Sequence, residues 1–376
     1  MTPAFTDEQN KFRREVCQLL SEDEVRQEVA AAKRSPASQE PGLLDVHRRL
    51  GERGWLATNW EGKYGGAGKS IVEKAILTEE LIRHWVPDNV HQLGIDIVGQ
   101  AIHLFGTDDQ KKTFLPQLAS GTVTANVLFS EPGVGSNLAS LSTKAEPEGH
   151  GWRLRGRKIW NMKAQHSQFA LCAARTSIGD VDHFGITLFL VPIQTVGVVI
   201  EPHHNLSDER FDIVTLDGIT LDESAVLGDV DDGWQVLNNV LPLERTGLDH
   251  AAKAERLYSA LAKYAPNEPE LVELGTKVRA ARLLAWRCVS NLNAGRPDEV
   301  HSATAKWYCS EVTKLVSVLA VKLIGTPALI GVHDDHAIAE GIFESAFREA
   351  PGLTLAQGSS EMMSLFIAAS KLELPQ

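Results

Sequence analysis

The chain has 376 residues, 43% hydrophobic and 23% charged. That is ordinary globular composition, and it excludes a disordered, collagenous or disulfide-framed chain. Forty-nine acidic against 37 basic residues leave a formal net charge of -12, which repels a phosphate backbone and an anionic leaflet, so neither nucleic acid nor a membrane surface is an expected partner.

The opening MTPAFTDEQNKFRREV has no apolar h-region, so no signal peptide is expected. No run of about 18 apolar residues is present to span a bilayer. Cys17, Cys172, Cys288 and Cys309 are scattered without a CxxC pair, which predicts reduced thiols and a cytoplasmic setting.

Residues 1–120 read as helices. Thr6 is placed to cap the first, with Gln9 three positions on completing a capping box. GLLDVHRRLGERGW and IVEKAILTEELIRHWV return apolar residues at helical spacing. The glycine-rich GKYGGAGKS (62–70) separates two helices. It ends like a phosphate loop, but Lys63 holds the place of the first glycine and no strand precedes it, so an inter-helix loop is expected.

Residues 121–228 change character. TANVLFS, GWRLRGRKIW, QFALCAARTS, GITLFLVPI, GVVIEP and FDIVTLDGITL are short β-branched and aromatic runs bounded by Gly, Pro, Asn or Asp. They predict a sandwich- or barrel-like β-domain, not a βαβ sheet. GxGxxG follows none of the strands, so a Rossmann dinucleotide site is not expected.

The helical period returns over 229–376. One long pattern runs from Asp232 to Ala265, with Pro242 marking a kink or break. PNEP (266–269) is a turn. A second helix ends near Gly295, a natural C-cap. A third follows, APGLTL interrupts, and SSEMMSLFIAASKLEL forms the last. The fold class is α+β: helices, β-domain, helices.

Two features carry candidate chemistry. Ser130-Glu131-Pro132-Gly133-Val134-Gly135-Ser136-Asn137 directly follows an apolar strand, and such a loop brings backbone N–H groups close to an anionic ligand. A strand-to-loop turn is the plainer reading. Trp160, at the end of a strand pair, would cover a flat ring, unless it is an ordinary core residue. His333 and His336 have metal-ligand spacing but no third ligand, so a solvated turn is expected and no metal. His203 and His204 are assigned no role.

In combination these residues become specific. FSEPGVGSNLASLSTKAEPEGHGWRLRGRKIWNMKA resembles the signature stretch of the acyl-CoA dehydrogenase family: a T/S-E-P-G-x-G-S-D loop, then L-x-T-x-A, then N-G-x-K-x-W. GWLATNWEGKYGGAG, FGTDDQKKTFLPQLASG, DDGWQVLNNVLPLER and GLTLAQGSSEMMSLFIA resemble further family segments in order, so the resemblance covers nearly the whole chain. It implies an N-terminal helical domain (1–120), a central β-domain (121–228) and a C-terminal four-helix bundle (229–376).

The resemblance also implies FAD. Phe129, Ser130, Gly135 and Ser136 would line the flavin and its pyrophosphate, Trp160 would pack on the isoalloxazine, and Met162 occupies a place near N5. Ser359 and Glu361 would contact the cofactor from the closing loop. The family reaction is α,β-dehydrogenation of an acyl-CoA thioester: a carboxylate removes the α-proton, hydride passes to flavin N5, and electrons leave to an electron-transferring flavoprotein. The thioester oxygen needs hydrogen-bond donors as enolate charge develops, and the backbone N–H of Gln357 would supply one. Many members place their base where this chain has Gln357, an amide that cannot act as one. The isovaleryl and long-chain branches carry it in an L-x-x-E-R pattern, matched by Leu241-Pro242-Leu243-Glu244-Arg245, which makes Glu244 the base.

Several positions depart from the family pattern. Asn137 replaces an Asp, and Met162 stands where a Thr or Ser often bonds N5. The R-x-x-F-G segment that reaches a neighbouring subunit's FAD is replaced by ALAKYAPNEPELVELG (260–275), and the later Q-x-x-G-G reads Lys322-Leu323-Ile324-Gly325-Thr326. These losses imply either a hetero-oligomer whose other chain supplies the contacts, as in α2β2 family members, or a homo-oligomer with altered contacts, in each case a dimer of dimers. Two alternatives stand beside the dehydrogenase: a non-catalytic partner subunit, and a flavin oxidase or monooxygenase on the same fold.

Overall fold

The first helix begins where the sequence supplies its cap. In the computed structural model, which describes residues 5–87 and 90–371, the Gln9 N–H donates to Thr6 Oγ1 at 3.2 Å and the Thr6 N–H to Gln9 Oε1 at 3.0 Å. This reciprocal box satisfies two donors that a helix start leaves unpaired. The helices that follow are α1 (Asp7–Leu20), α2 (Asp23–Arg34), α3 (Asp45–Gly51) and α4 (Ile71–Arg83). The 62–70 segment is a loop between α3 and α4, and its Ser70 caps α4 by accepting from the Val72 N–H at 3.1 Å. A ten-residue π-helical stretch, Val90–Gly99, leads into α5 (Gln100–Phe105) and α6 (Asp108–Ala119). Long π-helical runs are rare and concentrate at functional sites.

The strands are β1 (Ala125–Leu128), β2 (Lys144–Glu148), β3 (Gly151–Met162), β4 (Phe169–Arg175), β5 (Ile186–Pro192), β6 (Val198–His203), β7 (Phe211–Asp222) and β8 (Val226–Leu227). They form one sheet in the order β6-β7-β3-β2-β4-β5-β8, with β1 pairing parallel to β4. Most pairings are antiparallel, and only 3-10 turns interrupt the run, as the sequence predicts. The near-continuous apolar run of β4 has a physical reason. Ala170, Cys172 and Ala174 enter the β-domain's own core, while Phe169, Leu171 and Ala173 join the core shared with the helices. A strand buried on both faces loses its polar alternation.

The C-terminal helices are α7 (Gly233–Glu244), α8 (Leu248–Tyr264), α9 (Pro269–Asn293), α10 (Glu299–Ile324), α11 (Ile342–Leu353) and α12 (Ser360–Lys371). The long pattern expected from Asp232 to Ala265 is broken into two helices. Pro242 removes a ladder donor in the last turn of α7, and Gly247 at φ +70° turns the chain before α8. The break leaves Glu244 at the C-terminal end of α7. Pro269 opens α9 at a position where a missing N–H costs nothing, and Gly295 follows its end at φ +65°. APGLTL is not a break: α11 runs through Pro351 to Leu353. The sequence expected beyond Lys371 in the final helix lies outside the described residues. Among the described residues no helix is long and apolar enough to cross a membrane, and all four cysteines are free thiols.

Buried carboxylates on α4 join the N-terminal helices to the C-terminal bundle. Glu79 accepts from Arg282 at 2.8 and 3.0 Å and from the Trp286 indole N–H at 2.7 Å. Glu80 accepts from Arg13 and Arg83, and Arg83 also pairs with Glu255 at 2.7 Å. Removing one member of such a group strands its partners in a dry interior. Glu79→Ala is therefore expected to cost about 3 kcal/mol, Arg282 keeping only Glu255 at 3.7 Å, as measured by urea unfolding.

Candidate active site

The loop after β1 is built on a tight turn. Glu131 and Val134 exchange both backbone bonds at 2.8 Å, with Pro132 and Gly133 between them and Gly133 at φ +84°. A proline followed by a residue at positive φ is the signature of a type II turn. The Glu131 side chain points inward and is buried. It accepts from Lys158 Nζ (2.8 Å), the Thr143 N–H (2.8 Å), and the Ser142 N–H and hydroxyl (2.7 and 2.6 Å). Burial alone would raise its pKa; the Lys158 charge and these bonds outweigh burial and bring the carboxyl down to about 2. Lys158 also donates to Phe129 O at 3.1 Å, and the Ile159 N–H to Ser130 O at 3.0 Å. Phe129 and Ser130 are thus fixed beside the end of β3.

Beyond the turn the loop is open. Gly135 and Ser136 are exposed, and neither N–H has an acceptor in the described chain. A Cβ at Gly133 or Gly135 would meet nothing within 4 Å. On β3, the register against β7 shifts between Lys158 and Asn161. The bulge holds Trp160 at φ +63° and turns its indole outward, 51% exposed. Trp160 is therefore not a core residue. Its ring meets the edge of His203 at 4.5 Å and Phe211 at 5.9 Å, so His203, given no role from the sequence, supports it. Met162 is half-buried, its carbonyl taken by the Asn126 amide. An exposed indole can cover a flat ring, and unspent N–H groups can meet a pyrophosphate.

The second cluster centres on Glu244. Its Oε1 accepts from Gln92 Nε2 at 2.6 Å and from Gln357 Nε2. Burial pushes the carboxyl up, Asp249 adds repulsion, and Gln92 and Arg245 pull the other way; the balance is a pKa of about 8. The carboxyl edges a cavity that is partly open to solvent, walled by α4, the π-helical stretch, α7, α8 and α9.

Gln357 sits at φ +58°, followed by Gly358 at +97°. A strained pair persists only where its surroundings hold it. Here the buried Lys306 of α10 donates to Gly358 O at 2.7 Å and Leu353 O at 3.2 Å, and the Ser360 N–H to Thr354 O at 2.8 Å. The Gln357 N–H has no acceptor in the described chain. Ser359 is buried, and its hydroxyl accepts from the Met362 N–H at 3.3 Å at the start of α12; Glu361 is exposed.

The structure thus ties Phe129 and Ser130 to the end of β3 that carries Trp160 and Met162, leaves Gly135 and Ser136 on the exposed loop that follows, and brings Glu244 and Gln357 into direct contact. Arg348 of α11 pairs with Asp208 at 2.6 Å in the loop between β6 and β7, next to the strand ends that carry His203 and Phe211. Gln92, Lys306 and His203 were not identified from sequence. Their partners lie far along the chain, 152 residues for Gln92 and Glu244, and no local motif marks them. His336 is exposed and bonds only Asp334, as the expected solvated turn.

Comparison with known proteins agrees with this geometry. Residues 6–122, 126–214 and 231–372 match the N-terminal, middle and C-terminal domains of acyl-CoA dehydrogenases. The chain is 27% identical to acyl-CoA dehydrogenase FadE26 of Mycobacterium tuberculosis, covering 100% of this chain and 99% of that protein. It is 31% identical to acyl-CoA dehydrogenase IpdE1 of Mycolicibacterium smegmatis over 73% of this chain and 72% of that one. Among solved structures, the Tcur3481-Tcur3483 steroid ACAD superposes with a TM-score of 0.89 at 25% identity, and the ChsE4-ChsE5 complex of M. tuberculosis with 0.88 at 25%, each covering 100% of both chains. The chain belongs to the acyl-CoA dehydrogenase family and is an oxidoreductase acting on acyl-CoA.

Proposed function

We propose that this chain performs the α,β-dehydrogenation of an acyl-CoA thioester with Glu244 as the base that takes the α-proton. The observation that carries this reading is the Glu244 carboxyl itself, edging a cavity and held by the side-chain amides of Gln92 and Gln357. A raised pKa makes a carboxylate basic enough to attack a weakly acidic α-proton, and the two amides keep its oxygen aimed. The unspent N–H of Gln357 is available to the thioester oxygen, where it would stabilise enolate charge as the proton leaves. Lys306 acts as a positioning residue by fixing the carbonyls on either side of that N–H.

The residues of the loop after β1 and of the end of β3 fit FAD. Gly135 and Ser136 would meet the pyrophosphate, Phe129, Ser130 and Met162 would border the flavin, and Trp160 would cover its ring. Ser359 and Glu361 would approach from the loop before α12, Ser359 through its backbone because its hydroxyl caps the helix. When bound, FAD supplies the acceptor for the β-hydrogen, with an electron-transferring flavoprotein as the onward acceptor.

The chain works as an oligomer with a second, similar subunit. The 260–275 segment, which lacks the family's Arg and Phe, forms the end of α8 and the start of α9 and leaves Tyr264 and Val272 exposed. Two of the similar solved structures are of paired chains. The same loss favours a second reading, a non-catalytic subunit that completes a partner's site. An intact Glu244 cluster weighs against it.

The two readings separate in solution. Purified with FAD, and with its partner where one co-purifies, the protein should show flavin absorbance that acyl-CoA bleaches. Glu244→Gln should slow bleaching about 10²–10⁴-fold while keeping the flavin; unchanged bleaching would place the base elsewhere. Because the base must be ionised, kcat/KM of the wild type should rise about tenfold per pH unit and level off above about pH 8. Gln92→Leu removes a bond to the ionised form and should move that limb to higher pH.

The raised pKa also acts on stability. Glu244 has a folded pKa above its unfolded value of about 4.5, so its stabilising contribution is complete below pH 4.5 and is lost as pH rises through about 8. The Tm advantage of Glu244→Gln over the wild type should therefore grow between those limits and stay constant above them, as followed by calorimetry.

A further inference from the structure

The walls of the cavity beside Glu244 are unequal. Ile71, Leu243, Val289 and Leu292 make one part apolar. Elsewhere Lys74 of α4 and Asp96 of the π-helical stretch face each other at 2.8 Å, their side chains only 18% and 12% exposed, and both line the space. A cavity built for plain methylenes has no use for an ion pair in its wall. Seating an alkyl chain there strips water from two charges and returns nothing.

We infer that the acyl group this site accepts carries a neutral oxygen function, a hydroxyl or a ketone, beyond its β-carbon, and that Lys74 binds it. This rests on the dehydrogenase reading and narrows its substrate class. An ammonium has three donors. Asp96 sits beside it as an ion-pair partner without taking up all of its donors, leaving donors for a ligand oxygen that replaces the displaced water. The cavity's charge sets the oxygen's kind. Asp96 and Asp249 line it against the single lysine even with Glu244 protonated, and His91 is the remaining titratable group. A carboxylate tail would therefore meet net negative charge, whereas a carbonyl or hydroxyl adds none. The pair's link between α4 and the π-helical stretch explains its existence but not its position on the cavity wall.

The test uses CoA thioesters in which sulfur replaces the β-methylene, so that no hydride can leave and binding is read alone. Dissociation constants are measured by calorimetry on the FAD-loaded protein for a series of chain lengths ending in alkyl, hydroxyl, ketone or carboxylate. At one or more lengths the hydroxyl or ketone should bind at least about tenfold tighter than the alkyl thioester, with the carboxylate weaker than either. Lys74→Met should remove most of that ratio. Alkyl binding as tight as oxygenated binding at every length overturns the inference and leaves the dehydrogenase reading intact. The same holds for a Lys74→Met protein that keeps the wild-type ratio. Binding of none of the thioesters contradicts both. The wild-type series decides the matter even where the variant does not fold.

Discussion

A carboxyl taken out of water and aimed by two amides is the constraint on which the rest of this molecule depends. Glu244 cannot be solvated as it would be on a surface, so its protonation follows its surroundings. Three parts of the chain meet here: the end of α7 gives Glu244 itself, and its two partners come from the π-helical stretch, Gln92, and the loop before α12, Gln357. A shift of any of these segments by an ångström would loosen the carboxyl. Much of the remaining structure therefore serves to fix them relative to one another.

Two kinds of interaction do this. Across the helical layers, Glu79 and Glu80 of α4 bind arginines from α1, α4 and α9, so the helix that walls the cavity cannot slide against the bundle. At the loop, Lys306 holds carbonyls on both sides of Gln357. Burial pushes the Lys306 ammonium down to about 8, with Asp249 opposing, so its charge is retained at neutral pH by the acceptors and acids around it. The β-domain uses a third device. The Glu131–Lys158 pair, at 2.8 Å and with the Lys158 side chain fully buried, fixes the open loop to β3, and the adjacent bulge turns Trp160 toward solvent. Buried ion pairs contribute little net stability, but they define geometry because breaking them is costly.

Elements governed by local rules were legible in the sequence. The Thr6–Gln9 box, the Gly295 cap and the strand run of β4 each follow from a few neighbouring residues. The resemblance carried by SEPGVGS and by L-x-x-E-R marked the loop after β1 and Glu244. Features arising from distant contacts were not legible. No local motif marks the π-helical stretch, and Gln92 gains meaning only when it meets a residue 152 positions away. At Pro242 the sequence signals only a kink or break, because the turn is completed by Gly247, whose positive φ and close approach to the α10 backbone at Ala305 depend on distant packing. Trp160 reads as core or platform until the register shift against β7 decides which way it points. Gln357 lacks the acid that its position often carries, and its bond to Glu244 joins residues 113 positions apart.

The central claim is that Glu244 is a buried acid with a pKa near 8, and infrared titration of its carboxyl tests it most directly. Difference spectra of the wild type against Glu244→Gln should show one protonated-carboxyl C=O band that disappears with a midpoint of about pH 8. A band lost near pH 4.5, or no band distinguishing the two proteins, would contradict a base held in this environment.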